Sequence, residues 1–344
     1  MRSRSGRLVL RDERVTLAHG AGGKATRDLV EALFLEELGN EALAPLGDSA
    51  LVAGAARLAF TTDSYVVRPL VFPGGDIGEL AVNGTVNDLA VAGARPCWLS
   101  AGFVIEEGLP IADLRGLVRS MARAARAAGV AVVAGDTKVV EHGKADGLFV
   151  TTAGIGLLAD GVALGPERVR AGDRVLLSGT LGDHGMAVML ARGELGLEVD
   201  LESDTAPVHE LTAALATLGD SLRWMRDPTR GGLATALVEL ARSAAVGIRL
   251  QEQALPVRRT VRAACEVLGI DPLYVANEGK LIAVVAPEVE EDALTLLRAN
   301  AVGRDAVAIG TVEPDPEALV LVDTALGGSR IVDMLVGDPL PRIC

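Results

Sequence analysis

The chain has 344 residues, of which 49% are hydrophobic and 3% aromatic, and it carries a formal net charge of −13. That length accommodates about two domains, with cores built mainly from Ala, Val, Leu and Ile. The acidic balance argues against nucleic-acid backbones and anionic membranes as partners, yet it leaves room for a nucleotide held by local amides and one Mg2+.

Residues 1–16 are polar and basic and read as a flexible N-terminal extension. Arg2, Arg4 and Arg7 are followed only by Leu8, Val9 and Leu10, too short an apolar run for a signal peptide. No stretch approaches the ~18 apolar residues of a membrane span. Cys97, Cys265 and Cys344 lack metal-ligand or disulfide spacing, which fits a reducing cytoplasm.

His19-Gly20-Ala21-Gly22-Gly23-Lys24 leads into a predicted helix over 25–38. Glycines let backbone N–H groups approach phosphates, but the segment lacks P-loop and Rossmann spacing, and on its own a flexible turn is the stronger reading. Asp48 lies in Gly47-Asp48-Ser49, and Asp63 follows Thr61-Thr62 at a predicted strand end. A helix is predicted from Asp76 as N-cap, with Glu79 as its partner. On it Asn83 and Asn87 share a face, and Gly84 lies one turn before Asp88, opening space for a ligand or for helix packing. A second helix is predicted over 112–128, with Leu114, Leu117, Val118, Met121, Ala125 and Ala128 on one face and Gly129 as its stop. The strand after it, 130–134, ends at Gly135-Asp136-Thr137. The four aspartates Asp48, Asp63, Asp88 and Asp136 each read as turn or capping residues, or together as hard oxygen ligands for Mg2+.

Turn residues crowd 158–170, the predicted boundary between 17–160 and 168–336. Beyond it a strand is predicted over 174–178. Helices follow near 207–218, 232–245, 258–268 and 288–300, and strands near 247–251, 281–286, 306–312 and 318–322. The class is mixed α/β; strand order does not follow from the pattern. Asp227-Pro228-Thr229-Arg230-Gly231-Gly232 before a helix is either an anion site or an ordinary helix start. Glu278, in Asn277-Glu278-Gly279-Lys280, is a base or a turn residue. Residues 337–344 form a mobile tail stiffened by Pro339 and Pro341 and closed by the thiol of Cys344. Such a thiol is either incidental or a long-reach carrier.

Taken together, HGAGG (19–23), TTDSYVV (61–67), PGGDIGELAVNGTVNDLAVAGA (73–94), GDTKVV (135–140), LSGTLGDHG (177–185), DPTRGG (227–232), NEGK (277–280) and PRIC (341–344) resemble the HypE family of hydrogenase maturation proteins. That family lies within the PurM-like (AIR synthase-related) superfamily. The resemblance runs from about Leu17 to Cys344. It implies a two-domain α/β (α+β) fold, with an N-terminal ATP-binding domain forming a dimeric β-barrel and a C-terminal α/β sandwich.

The implied reaction starts from a carbamoyl group that a HypF-type carbamoyltransferase places on Cys344. ATP-dependent dehydration makes the thiocyanate, and the nitrile passes to iron on a HypC–HypD complex as a cyanide ligand. Gly20, Gly22 and Gly23 would cover the phosphates. Asp48, Asp63, Asp88 and Asp136 would serve Mg2+–ATP, with Asn87 beside them. Thr137 would lie near the phosphates, Lys138 would stabilise charge, Glu278 would take protons from nitrogen, and Arg230 would hold phosphate or the inserted tail. Another PurM-like ATP enzyme, of the selenophosphate synthetase or thiamine-phosphate kinase type, is the first alternative. The former usually carries a reactive Cys near its N-terminus, and here none precedes Cys97. A nucleotide-binding scaffold that merely presents the tail is the second.

Overall fold

The computed structural model describes residues 10, 12–20, 24–40, 43, 57–159, 161, 163–193, 200–315, 317–334 and 343. The described residues form two large sheets and a two-stranded ribbon of Val71–Phe72 with Gly75–Asp76. The first is built from β1 (Leu58–Tyr65), β2 (Ala94–Glu106), β3 (Ala131–Val140) and β4 (Leu148–Leu158), in the order β1-β4-β2-β3. β4 pairs antiparallel with β1 and β2, whereas β2 and β3 are parallel. A parallel pair needs a long crossover, and helix α2 (Ile111–Ala127) provides it. Helix α1 (Ile77–Val91) starts where Asp76 Oδ1 accepts the N–H groups of Gly78 and Glu79, at 2.8 and 3.0 Å, which satisfies two orphan donors.

α1 packs against β1, β2, β4 and α2, so one sheet face is buried. Leu99, Ala101, Phe103 and Ile105 alternate onto it along β2. The other face is open. Phe60, Ile155 and Trp98 stand in one row across β1, β4 and β2, with Phe60 69% exposed and Leu58 51% exposed. Among the described residues the sheet does not close into a barrel, because β1 and β3 remain its two edges.

The second sheet contains β5 (Arg174–Leu177), β6 (Leu222–Arg226), β7 (Gly247–Gln251), β8 (Ile282–Val285), β9 (Val307–Glu313), β10 (Val320–Asp323) and β11 (Ser329–Val332), ordered β11-β10-β7-β9-β5-β8-β6. Five further helices accompany it: α3 (Asp183–Ala191), α4 (His209–Ala216), α5 (Gly232–Ala244), α6 (Arg259–Leu268) and α7 (Glu290–Arg298). Side chains alternate between two cores. Val175, Leu177, Ile282 and Val284 join Leu237 of α5 on one face. Leu176, Ala283 and Val285 join Leu211 of α4 and Leu294 of α7 on the other. This is a sheet with helices on both faces.

Several sequence expectations shift. β3 runs well past residue 134, and both Asp63 and Asp136 lie inside strands rather than at their ends. The predicted helix over 25–38 is interrupted by a π-turn at Val30–Phe34. α3 and β6 carried no periodic signal, being a glycine-led buried helix and a short strand. Residues 13–15, expected in a flexible extension, line the 106–111 turn. Val15 N donates to Leu109 O at 2.8 Å, Gly108 N donates to Val15 O at 2.8 Å, and the Val15 side chain is fully buried.

α1 is buried on nearly every side, as a helix wedged between two layers must be. Its polar residues bind the two halves. Asn87 Nδ2 donates to Ala206 O at 3.1 Å and Glu278 O at 3.0 Å, and its Oδ1 accepts Val208 N–H at 2.8 Å. Asn83 Nδ2 donates to Thr205 Oγ1 at 3.2 Å. Asn87→Ala orphans three backbone groups. We expect a loss of about 2–4 kcal/mol and a melting temperature lower by roughly 5–10 °C, read by thermal denaturation; an unchanged melt would show that the join does not depend on Asn87.

Candidate active site

The site begins where α1 and β1 meet the loops of the second sheet. Tyr65 and Gly84 fit as knob and hollow, since a Cβ on Gly84 would stand on the Tyr65 hydroxyl. The space expected for a ligand at Gly84 is therefore filled by a phenol. That hydroxyl donates to Asp63 Oδ2 at 3.2 Å, and Thr61 Oγ1 donates to Asp88 Oδ2 at 2.7 Å. Asp63 and Asp88 thus lie side by side at the mouth of the first sheet.

Three loops of the second half close on them, tied together by Asn277. Its Oδ1 accepts Gly182 N–H at 2.8 Å, and its Nδ2 donates to Pro228 O at 3.0 Å and Val275 O at 2.9 Å. The 177–185, 227–232 and 277–280 motifs, far apart in sequence, become one construction. Gly231 and Gly232 adopt φ of 78° and 62°. A Cβ on Gly232 would crowd the 273–275 backbone, so this turn admits only glycine without strain.

Glu278 is 3% exposed and Asp227 7% exposed. Burial, and then the negative charges of Asp227, Asp63 and Asp88, push the Glu278 carboxyl well above the ordinary range, with Arg230 opposing. Asp227 is pushed up to about 7 by burial first and Asp88 next. Burial also raises Asp63 and Asp88. Two buried carboxylates, Asp227 and Glu278, thus face two half-buried ones, Asp63 and Asp88, with the exposed Arg230 beside them, and each acid makes its neighbour's ionisation harder. A group of this kind either keeps protons at neutral pH or awaits a cation. Hard oxygen donors at Asp63 and Asp88 fit Mg2+, although no compact group of His, Cys, Asp or Glu among the described residues forms a ready metal cage.

Of the residues the sequence singled out, Asp63, Asn87, Asp88, Arg230 and Glu278 come together. Asp136, Thr137 and Lys138 do not join them. Asp63, Thr152, Ala101 and Gly135 form one row across the sheet, so Asp136 lies three strands away, about 14 Å, on the opposite edge. There β3 packs against the Leu17–Gly20 turn, where His19 is buried and its Nε2 pairs with Asp12 at 3.3 Å. The turn that ends at Gly20 thus sits against the same strand that carries 136–138. Gly22, Gly23, Asp48 and Cys344 lie outside the described residues. Asp227, Tyr65 and Thr61 were missed as site residues. Asp227 read as part of a helix start, and nothing in its local pattern announces burial.

Residues 47–158 match AIR synthase related protein, N-terminal domain, and residues 170–323 match its C-terminal domain. Fold and site thus define an AIR synthase-related, or PurM-like, protein of two domains. The chain is 54% identical over 339 residues to the carbamoyl dehydratase HypE of Azotobacter vinelandii, covering 98% of this chain and 99% of that protein. It superposes with a TM-score of 0.91 and 45% identity on hydrogenase maturation protein HypE crystallised with ATP, covering 96% and 99% of the two chains. The HypE–HypF complex aligns at a TM-score of 0.78 and 48% identity, over 89% and 99%. The chain belongs to the HypE family.

The raised Asp227 carboxyl has a sign that can be checked. A folded-state pKa above the unfolded value contributes stability at low pH that is lost as pH rises towards 7. Asp227→Asn should therefore melt about 4 °C or more above the parent at pH 8 in metal-free buffer, with the difference vanishing below about pH 4. A gain that is equal at both pH values would refute the assignment.

Proposed function

We propose that this chain is an ATP-dependent carbamoyl dehydratase that acts on a carbamoyl group carried by its own Cys344 and supplies cyanide for a [NiFe]-hydrogenase iron centre. The observation that carries this reading is Glu278, whose carboxyl is raised first by its burial in the crevice and then by Asp227, Asp63 and Asp88. Full-length relatedness to carbamoyl dehydratases supports it, and a relative crystallised with ATP supports the nucleotide.

The chemistry requires both a phosphoryl donor and a base. A carboxamide oxygen leaves poorly as hydroxide. Attack of that oxygen on the γ-phosphorus expels ADP and leaves an imidate phosphate. Loss of both nitrogen protons and of phosphate then forms the C≡N bond, so the thiocarbamate and ATP become thiocyanate, ADP and phosphate. Glu278 takes the nitrogen protons, and its raised pKa strengthens it as a base. Lys138 stabilises the developing charge. Arg230, Thr137 and the amides of Gly20, Gly22 and Gly23 hold phosphates. Asp63 and Asp88, with Asp48 and Asp136, would hold Mg2+, which neutralises phosphate charge.

The two groups of residues sit on opposite edges of one open sheet, which favours a homodimer. A second copy pairing edge to edge would bring one protomer's β3 beside its partner's β1 and close the barrel over the Phe60 face. The division 17–160, 168–336 and 337–344 follows as nucleotide domain, C-terminal domain and carrier tail. A HypF-type carbamoyltransferase as loader is supported by the relative found with HypF, and a HypC–HypD complex would receive the nitrile. We place the chain in the cytoplasm; no helix among its described residues is long and apolar enough to cross a membrane.

Intact-mass analysis tests the reaction. Incubation with the carbamoyl donor system should add about 43 Da, and ATP should then remove about 18 Da, the formula masses of the modification and of water. Cys344→Ala should show neither change. Glu278→Gln should gain the first mass and lose the second at least ~100-fold more slowly. Because the base works deprotonated, the parent's dehydration rate should climb with pH along a limb lying above the usual glutamate range. Full-rate dehydration by Glu278→Gln would end the base assignment. Phe60→Asp should shift sedimentation from dimer to monomer and abolish ATP turnover; a fully active monomer would remove the dimer.

A further inference from the structure

One buried side chain takes no part in the chemistry above. His184, near the start of α3, has no exposed surface. Its ring meets Phe72 edge-on, with centroids 5.5 Å apart at 84°. Its Nε2 lies 3.0 Å from the carbonyl oxygen of Ile343, and its Nδ1 lies 2.8 Å from Ser203 Oγ. A carbonyl oxygen only accepts, so Nε2 carries the hydrogen, and Nδ1 accepts from the Ser203 hydroxyl. Ser203 Oγ accepts in turn from Thr205 N–H at 3.1 Å. Burial, with Lys280 adding to it, lowers the imidazole to about 4, so the ring is a neutral donor at physiological pH.

Ser203 is itself held in place. Its N–H donates to Pro73 O at 2.8 Å, and a Cβ on Gly74 would stand 2.6 Å from Ser203 O. Ile343 is 2% exposed and belongs to the same apolar cluster as Phe72, Met186, Leu201 and Val275. Its carbonyl is half of the planar peptide group whose nitrogen belongs to Cys344.

We infer that His184 and Ser203 form a dock for the end of the chain, gripping the Ile343 carbonyl and side chain and so positioning the terminal thiol. The dock and the catalytic loop share one support. The 203–208 strap that carries Ser203 is bonded to Asn83 and Asn87, and it leaves no room for a side chain at Gly279, where a Cβ would meet the Asp204 carbonyl. One directional hydrogen bond and one apolar anchor fix a tethered group. Neither is ionic, so the hold is modest. That suits a thiol which must be loaded at one protein and unloaded at another. His184 is a positioning residue in this scheme. The inference rests on the dehydratase reading for the identity of the cargo alone.

The test uses the full-length chain. Iodoacetamide alkylation of Cys344, followed by peptide mass spectrometry, reports release of the tail without any reaction. His184→Ala and Ile343→Ala should each speed alkylation about three- to tenfold, the worth of one hydrogen bond or a modest apolar contact. His184→Gln, whose amide can donate from a similar place, should speed it less. Single-turnover dehydration of the carbamoylated chain should slow by similar factors, with the KM for ATP unchanged. Ile343 lies beyond the last described strand, so Ile343→Ala should lower the melt by no more than the loss of the tail's modest hold. Parental alkylation and dehydration rates in both alanine variants overturn the dock. So does an effect of His184→Ala that Gln does not relieve and Ile343→Ala does not share, because lost packing then explains it. If the parent itself performs no dehydration, the dehydratase reading falls, and the alkylation rates still decide the dock.

Discussion

A single buried helix, α1, holds the molecule's function together. It packs on the first sheet with its apolar side chains and on the second half with its amides. Asn87 alone bonds the 206–208 backbone and the carbonyl of Glu278. Buried amides are costly unless every group finds a partner, so these bonds fix one relative placement of the halves. The carboxylate crevice depends on that placement, since Asp63 and Asp88 come from one half and Asp227 and Glu278 from the other. Any slip between the halves would separate the charges that raise Glu278.

The charge arrangement then follows from burial. Acids brought together with two of them buried resist ionisation, and Arg230 offsets only part of this. The same crowding that destabilises the crevice at neutral pH prepares it for a cation and a nucleotide. It also raises the Glu278 carboxyl well above the ordinary glutamate range. Function here costs stability, as is usual where like charges are gathered. On the opposite edge of the sheet, the strand that carries 136–138 packs against the Leu17–Gly20 turn, and one chain leaves this edge apart from the crevice.

Much of the fold was legible. The helix predicted over 112–128 is seen as Ile111–Ala127, because its apolar residues recur at helical spacing and Gly129 stops it with φ of 67°. The Asp76 cap was legible for a similar local reason. α3 was not, since a helix buried on most sides shows no polar stripe to set its period. The extent of β3 was hidden too, because Gly135 and Asp136 look like a turn and sit on an exposed edge strand.

The sequence by itself determined the inventory: the glycine and aspartate motifs, the terminal cysteine, and the family to which they point. Covalent order and local spacing suffice for that. Only the tertiary structure decided which acids meet. It brought Asp227 into the crevice, left Asp136 across the sheet, filled the hollow at Gly84 with Tyr65, and set His184 against the Ile343 carbonyl. Such pairings join residues separated by scores of positions, and burial and hydrogen-bond partners are properties of the packed chain, not of any local stretch of it.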